Sequence, residues 1–233
     1  MESVDLANCY DAVAYPIANI ALQSFKVHKV MVAMMLYVLK TMTWYLNTAF
    51  GQSKITFGGT ALDPSMGLGQ GNGVAPLGFL AVCTLMINIQ RNLSHRVTFI
   101  GTWAQDAFTL DAVLYIDDSD LFRMAIRTPS DKEFLHLVQN ATNDWAGLVH
   151  ATTGLLKPQK CFWYMLGWVW KKGKVCLKTL YELPQDPLYI PQQDGTRVPI
   201  RLKAISDPEN KLGVYMSDRQ LLLPCCTYSH YGI

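Results

Sequence analysis

The chain has little charge and almost no bias in its sign. Of its 233 residues, 16% are charged, and the formal net charge is +2. Proteins that hold nucleic acid through its phosphates usually show a clearer basic excess, so composition alone gives no argument for that partner. Lys171, Lys172 and Lys174 form the only tight basic cluster, which reads as the solvated turn of a hairpin. Zinc-type Cys-x-x-Cys spacing is missing among Cys9, Cys83, Cys161, Cys176, Cys225 and Cys226. With no secretory signal ahead of them, they read as reduced thiols, and the expected location is intracellular, cytoplasmic or nuclear. Long apolar runs are also scarce. Val74 to Ile89 carries no charge, but its 16 residues are short for a membrane span, and Pro76 and Asn88 suit a buried helix better. Lys40 interrupts Val30 to Phe50. A membrane protein is therefore the least favoured class. Repeats and low-complexity linkers are absent, so residues 1–217 read as one domain and 218–233 as an unassigned tail.

Half of the residues are hydrophobic, enough for a sizeable core. Met1 to Leu6 reads as a short strand carrying Asp5, and Pro16 starts a helix through Gln23. A longer helix is expected to bury Val27, Val30, Met31, Met34, Val38, Met42, Tyr45, Leu46 and Ala49, which recur at three- and four-residue steps. Lys54 to Phe57 is a short strand, and Met66 to Gly73 is glycine-rich. A helix follows from near Pro76 to about Asn92. Arg96 to Thr102 and Thr109 to Ile116 are strands, the second forming a hairpin with Leu121 to Ile126. Ser130 and Glu133 make a capping box for a helix with Phe134, Leu137, Val138, Ala141, Trp145 and Leu148 on one face. Cys161 to Trp170 pairs with Lys174 to Leu177 across Lys171-Lys172-Gly173, Asp194-Gly195 is a hairpin turn, and Lys211 to Met216 is a last strand.

Tyr115-Ile116-Asp117-Asp118 is the stretch with chemical content. Adjacent aspartates repel, and each disfavours ionising the other; a divalent cation removes that conflict. A bare Asp-Asp pair is most simply an acidic turn. The apolar strand leading into it and two motifs upstream shift the reading. If the Asp5 strand lies beside the hairpin, Asp5, Asp117 and Asp118 converge as a hard-oxygen site suited to Mg2+ or Mn2+. A two-metal site of this kind, with ions ~3.5–4 Å apart, stabilises both the attacking and the leaving oxygen of a phosphoryl transfer.

Five segments then fall in a telling order. They are Asp5-Leu6-Ala7-Asn8-Cys9-Tyr10-Asp11, Gly69-Gln70-Gly71 followed by Ala75-Pro76, Tyr115-Ile116-Asp117-Asp118, Leu156-Lys157-Pro158-Gln159-Lys160, and Leu212-Gly213. Together they resemble the palm of a reverse transcriptase, an RNA-dependent DNA polymerase. The likeness covers the first palm motif, the Gln-Gly-x-x-x-Ser-Pro segment (with Ala75 for the serine), the Tyr-x-Asp-Asp hairpin, the later lysine motif and the start of the primer grip. The resemblance implies an α+β fold, a polymerase palm-like antiparallel sheet with helices on one face. It implies catalytic, metal-holding roles for Asp5, Asp117 and Asp118, with Mg2+ or Mn2+ as cofactor, and a catalytic Lys160 that gives a proton to leaving pyrophosphate. It implies nucleotide binding by Tyr10, Gln70 and Gly71, with the Tyr10 ring under the sugar excluding a 2′-hydroxyl. The implied partners are an RNA template, a DNA primer and deoxynucleoside triphosphates. Plainer roles stand beside these: a core aromatic for Tyr10, a helix-entry loop for Gln70-Gly71, an exposed lysine for Lys160, a cap for Asp11 and a solvated turn residue for Asp120.

The family's fingers precede the first motif and its thumb follows the last. Here the chain starts four residues before Asp5, and Arg219 to Ile233 does not resemble a thumb. The expectation is a retroelement polymerase palm with fingers and thumb missing, incomplete as this chain and inactive in isolation. The alternative is an inactive reverse-transcriptase remnant or a weak nucleic-acid-binding fragment. An RNA-dependent RNA polymerase is disfavoured by Gln70-Gly71 and the Tyr-x-Asp-Asp order.

Overall fold

In the first strand, β1 (Glu2–Ala7), side chains alternate between two faces, as the pleat requires. Val4 and Leu6 enter a core shared with the helices, and Glu2, on the same face, accepts a hydrogen bond at 2.9 Å from Thr142 on the last helix. Ser3, Asp5 and Ala7 take the opposite face. This strand is the middle of the fold. The structure, a computed structural model, describes residues 1–7, 9–59, 66–69, 72–93, 96–100, 107–115, 118–125, 130–207, 209–211 and 214–216, the last two ranges by backbone alone.

Among the described residues the architecture is mixed α+β, with four α-helices and several antiparallel sheets. The helices are α1 (Tyr15–Ser24), α2 (Lys29–Thr41), α3 (Ala75–Leu93) and α4 (Asp131–Ala151). After β1 the strands are β2 (Trp44–Thr48), β3 (Gly51–Phe57), β4 (Val97–Ile100), β5 (Ala107–Leu110), β6 (Ala112–Tyr115) and β7 (Asp118–Leu121). Then come β8 (Leu155–Leu156), β9 (Phe162–Trp163), β10 (Trp168–Lys171), β11 (Lys174–Leu177), β12 (Leu188–Pro191), β13 (Arg197–Leu202), β14 (Glu209–Lys211) and β15 (Val214–Met216). The main sheet runs β12-β13-β9-β1-β7-β6, and β8 also pairs with β1. Its pairings are antiparallel except β13 with β9. The pairs β2–β3, β4–β5, β10–β11 and β14–β15 are separate hairpins.

Local rules explain several elements directly. Pro16 sits at the start of α1, where its missing N–H costs nothing. Ser130 caps α4: its hydroxyl accepts from the Glu133 N–H, and the Glu133 carboxylate accepts from the Ser130 N–H. Along α4, Leu135, Val138, Ala141, Thr142, Trp145, Ala146 and Val149 are buried. Asp194-Gly195 joins β12 to β13, with Gly195 at φ +82°. Lys172 (φ 50°) and Gly173 (φ +74°) turn β10 into β11 as expected, but the strand read as Cys161 to Trp170 is split: Phe162–Trp163 joins the main sheet as β9, and only Trp168–Lys171 pairs with β11.

Other expectations fail. The helix read from Val27 through Ala49 ends at Thr41, and Trp44–Phe57 folds back as β2 and β3. Threonine, tryptophan and tyrosine also suit strands, and Gly51 at φ +112° closes a hairpin in which Trp44–Thr48 pairs with Gly51–Phe57, so that pairing ends the helical period. The methionine face is not core either. Only Val32 and Leu39 of α2 are buried, while Met31, Met34 and Val38 are exposed. The strand read as Thr109 to Ile116 breaks at Asp111 into β5 and β6, and its hairpin partner is Asp118–Leu121 rather than Leu121 to Ile126. Lys211 to Met216 is likewise not one strand, because β14 and β15 form a hairpin within Glu209–Met216. The helix over Val74 to Ile89 is α3, and among the described residues no helix is long and apolar enough to cross a membrane.

Candidate functional site

The register of β1 decides what meets at the centre of the sheet. Asp5 is the direct antiparallel partner of Asp118, and Asp118 in turn is the partner of Tyr115 on β6. Directly opposite residues share a face, with Cα atoms about 4.5–5.5 Å apart. Asp5 and Asp118 therefore rise side by side on the face opposite Val4 and Ser119. Ser119 and Leu121, at the alternating positions of β7, are fully buried on the other side. Asp120 is a strand residue, half-buried and paired with Ser3 and Val113, and not the turn residue expected. Asp117 and Ile116 lie outside the described residues.

A short turn supplies the opposing charge. Leu156 pairs with Leu6, and the Lys157 N–H donates to the Asp5 carbonyl at 3.0 Å. Pro158–Lys160 then forms one turn of 3-10 helix, in which side chains three residues apart stack on the same side. Lys157 and Lys160 are so spaced. Lys160 Nζ lies 3.0 Å from Asp5 Oδ2, and Lys157 Nζ lies 3.5 Å from Asp5 Oδ1. The Asp5 side chain is only 12% exposed, and its Oδ1 is buried without a hydrogen bond. The turn is tied down from beneath by the Cys161 thiol, which donates to the Lys157 carbonyl at 3.1 Å. Burial pushes that thiol up to about 12, so it stays protonated and keeps its donor.

Tyr10 follows β1 and packs edge-on against Phe79 of α3, with ring centroids 5.3 Å apart. It is half-buried at the margin of the core. The glycine-rich stretch is stitched to the same segment. The Leu68 N–H donates to the Tyr10 carbonyl at 2.8 Å, and the Gly67 N–H donates to the Val13 carbonyl at 3.0 Å. Gly67 has φ +90°, and a Cβ there would stand 2.5 Å from the Asp11 Cα, so both its backbone and the close approach require glycine. Asn72 then caps the entry to α3 by accepting from the Val74 N–H. Gln70 and Gly71 lie outside the described residues; the flanking Gly69 and Asn72 are joined by an N–H···O bond of 3.0 Å.

The structure thus brings Asp5, Asp118 and Lys160 together. The Gly67–Leu68 backbone reaches the chain at Tyr10 to Val13. Lys157 is the partner that the sequence reading missed. The signal was present: two lysines three residues apart, flanking a proline, in the very motif singled out for Lys160. Asp111 was missed too, and its role is structural. It is buried between β5 and β6, where Arg91 Nε holds its carboxylate at 2.8 Å and its carbonyl accepts from the Phe122 N–H at 2.8 Å. That contact anchors the β6–β7 hairpin.

The donor chemistry suits a hard divalent cation: two carboxylates on one face, one of them with a buried oxygen that lacks a hydrogen bond. Among the described residues, no three His, Cys, Asp or Glu side chains assemble as a ligand group, and Asp117, the third carboxylate expected there, falls outside them. No protein-family model and no curated protein matches this chain.

Proposed function

We propose that this chain is the catalytic palm region of an RNA-directed DNA polymerase of a retroelement, acting by metal-dependent nucleotidyl transfer. One observation carries the reading: Asp5 and Asp118, from two separate motifs, are direct partners across adjacent strands. Lysines beside Asp5 and a glycine-rich loop bonded to the Tyr10 segment add support. A magnesium or manganese ion held by these carboxylates would polarise the primer hydroxyl and offset charge on the transferring phosphate. Asp5, Asp118 and, in this reading, Asp117 supply the negative charge that holds it. Lys160 would give a proton to departing pyrophosphate or pair with its charge. Tyr10, braced by Phe79, would lie under the sugar and refuse a 2′-hydroxyl. Gln70 and Gly71 would approach the nucleotide by backbone. RNA template, DNA primer and deoxynucleoside triphosphates are the proposed partners.

The test is Mn2+-dependent binding of a fluorescent deoxynucleoside triphosphate, run beside primer extension on an RNA template. Asp5→Asn and Asp118→Asn should each weaken nucleotide binding at least tenfold. Binding that survives both substitutions, or that never depends on Mn2+, would reject the reading.

A further inference from the structure

Asp5 is already claimed by two cations of the chain's own. Lys160 Nζ stands 3.0 Å from one carboxylate oxygen and Lys157 Nζ 3.5 Å from the other. Both come from one rigid turn, fixed by the Lys157 N–H on the Asp5 carbonyl, by buried Pro158 and by the Cys161 thiol. The ammonium groups therefore stand where a metal ion would approach this carboxylate. The Lys157 side chain is 39% exposed and that of Lys160 63%, so both can swing away without unpacking the core.

We propose that Lys157 and Lys160 form a latch on Asp5 that competes with the divalent cation and is released onto the phosphates of the incoming nucleotide. The inference rests on the metal-site reading given above and adds its regulation. The physics is competition followed by compensation. A cation binding Asp5 must displace two ammonium groups, which leaves them without that partner. A triphosphate arriving with the metal supplies new anionic partners within reach of four-carbon stems. Metal alone should then bind weakly, and metal and nucleotide should tighten each other's binding by the same factor, as linkage requires. A site so arranged holds its metal more tightly when substrate is present.

The experiment is a Mn2+ titration, read by the paramagnetic resonance of free Mn2+, on the parent chain, on K157Q/K160Q, on K157R/K160R and on Asp5→Asn, each with and without dTTP. Circular dichroism checks that each variant is folded. Removing the latch in K157Q/K160Q should tighten Mn2+ binding without nucleotide by about five- to tenfold, the competition that two partly exposed ion pairs can offer. The same variant should lose most of the tightening that dTTP gives the parent. K157R/K160R keeps both charges and should behave like the parent. If Asp5→Asn abolishes binding but K157Q/K160Q leaves Mn2+ affinity unchanged or weaker, the latch is wrong while the metal site stands. If Asp5→Asn binds Mn2+ like the parent, or none of the four proteins binds it, the metal reading falls and the latch falls with it.

Discussion

Glu2 offers the sharpest stability test, because it is a carboxylate buried on the central strand β1. Its Oε2 accepts from Thr142 at 2.9 Å, while its Oε1 has no hydrogen bond. Burial pushes its carboxyl from 4.5 up to about 7, against the opposing pull of the Thr142 hydroxyl, Arg123 and the chain's amino terminus. That difference corresponds to about 3 kcal/mol between the two protonation states. Since the folded pKa lies above the unfolded one, the folded chain takes up a proton in this range. Stability is full below pH 4.5 and falls as the pH rises towards about 7. Glu2→Gln keeps the shape and an oxygen for Thr142, but it cannot ionise. Its stability relative to the parent should be close to unchanged at pH 4.5 and should rise by up to about 3 kcal/mol by pH 8. The assay is urea denaturation of both proteins at half-unit pH steps; the histidines and all other groups cancel in the difference. Two curves that stay parallel from pH 4.5 to 8 would refute the reasoning, and would mean that Glu2 is solvated or fully paired in the folded chain.

Gly67→Ala should destabilise by at least ~1–3 kcal/mol, because φ is +90° and the new methyl would press on the Asp11 backbone; thermal denaturation measures it. Ser130→Ala removes the hydroxyl of the α4 capping box and should cost about 1 kcal/mol in the same assay. Trp145→Ala empties a site with no exposure in the core and should cost about 3–5 kcal/mol, enough to unfold a chain of ordinary stability. Cys161, buried with its thiol pushed up to about 12, should resist alkylation at pH 8 in the folded chain and react only after denaturation, which mass spectrometry of the modified peptides would show.

Features written in a few adjacent residues were legible. The capping box at Ser130 and Glu133, the Asp194-Gly195 turn and the Lys172-Gly173 hairpin follow from rules spanning three or four positions. So did the strand around Asp5, because one pleat period identifies it. What failed needed knowledge of distant partners. The period over Val27 to Ala49 fits a helix equally well on both sides of Thr41; what ends it is a hairpin whose register lies in Gly51–Phe57. Met31 and Met34 carry a core-like pattern, yet a pattern records only which side is apolar and not what covers it. At the site, Asp5 and Lys160 were named from motif. Lys157 was passed over because its importance appears only when the turn folds onto β1 and stacks it with Lys160.

The pairing of β1 also sets the order in which the chain can assemble. Among the described residues, every strand partner of β1 comes after residue 117: Asp118–Leu121, Leu155–Leu156 and Phe162–Trp163. During synthesis β1 leaves the ribosome before each of these partners and must wait for them. Such long-range closure is slow and leaves an edge available for mispairing. The packed pair of α1 and α2, local in sequence, is free to form in that interval. The two aspartates can come together only once β7, far along the sequence from β1, has been made.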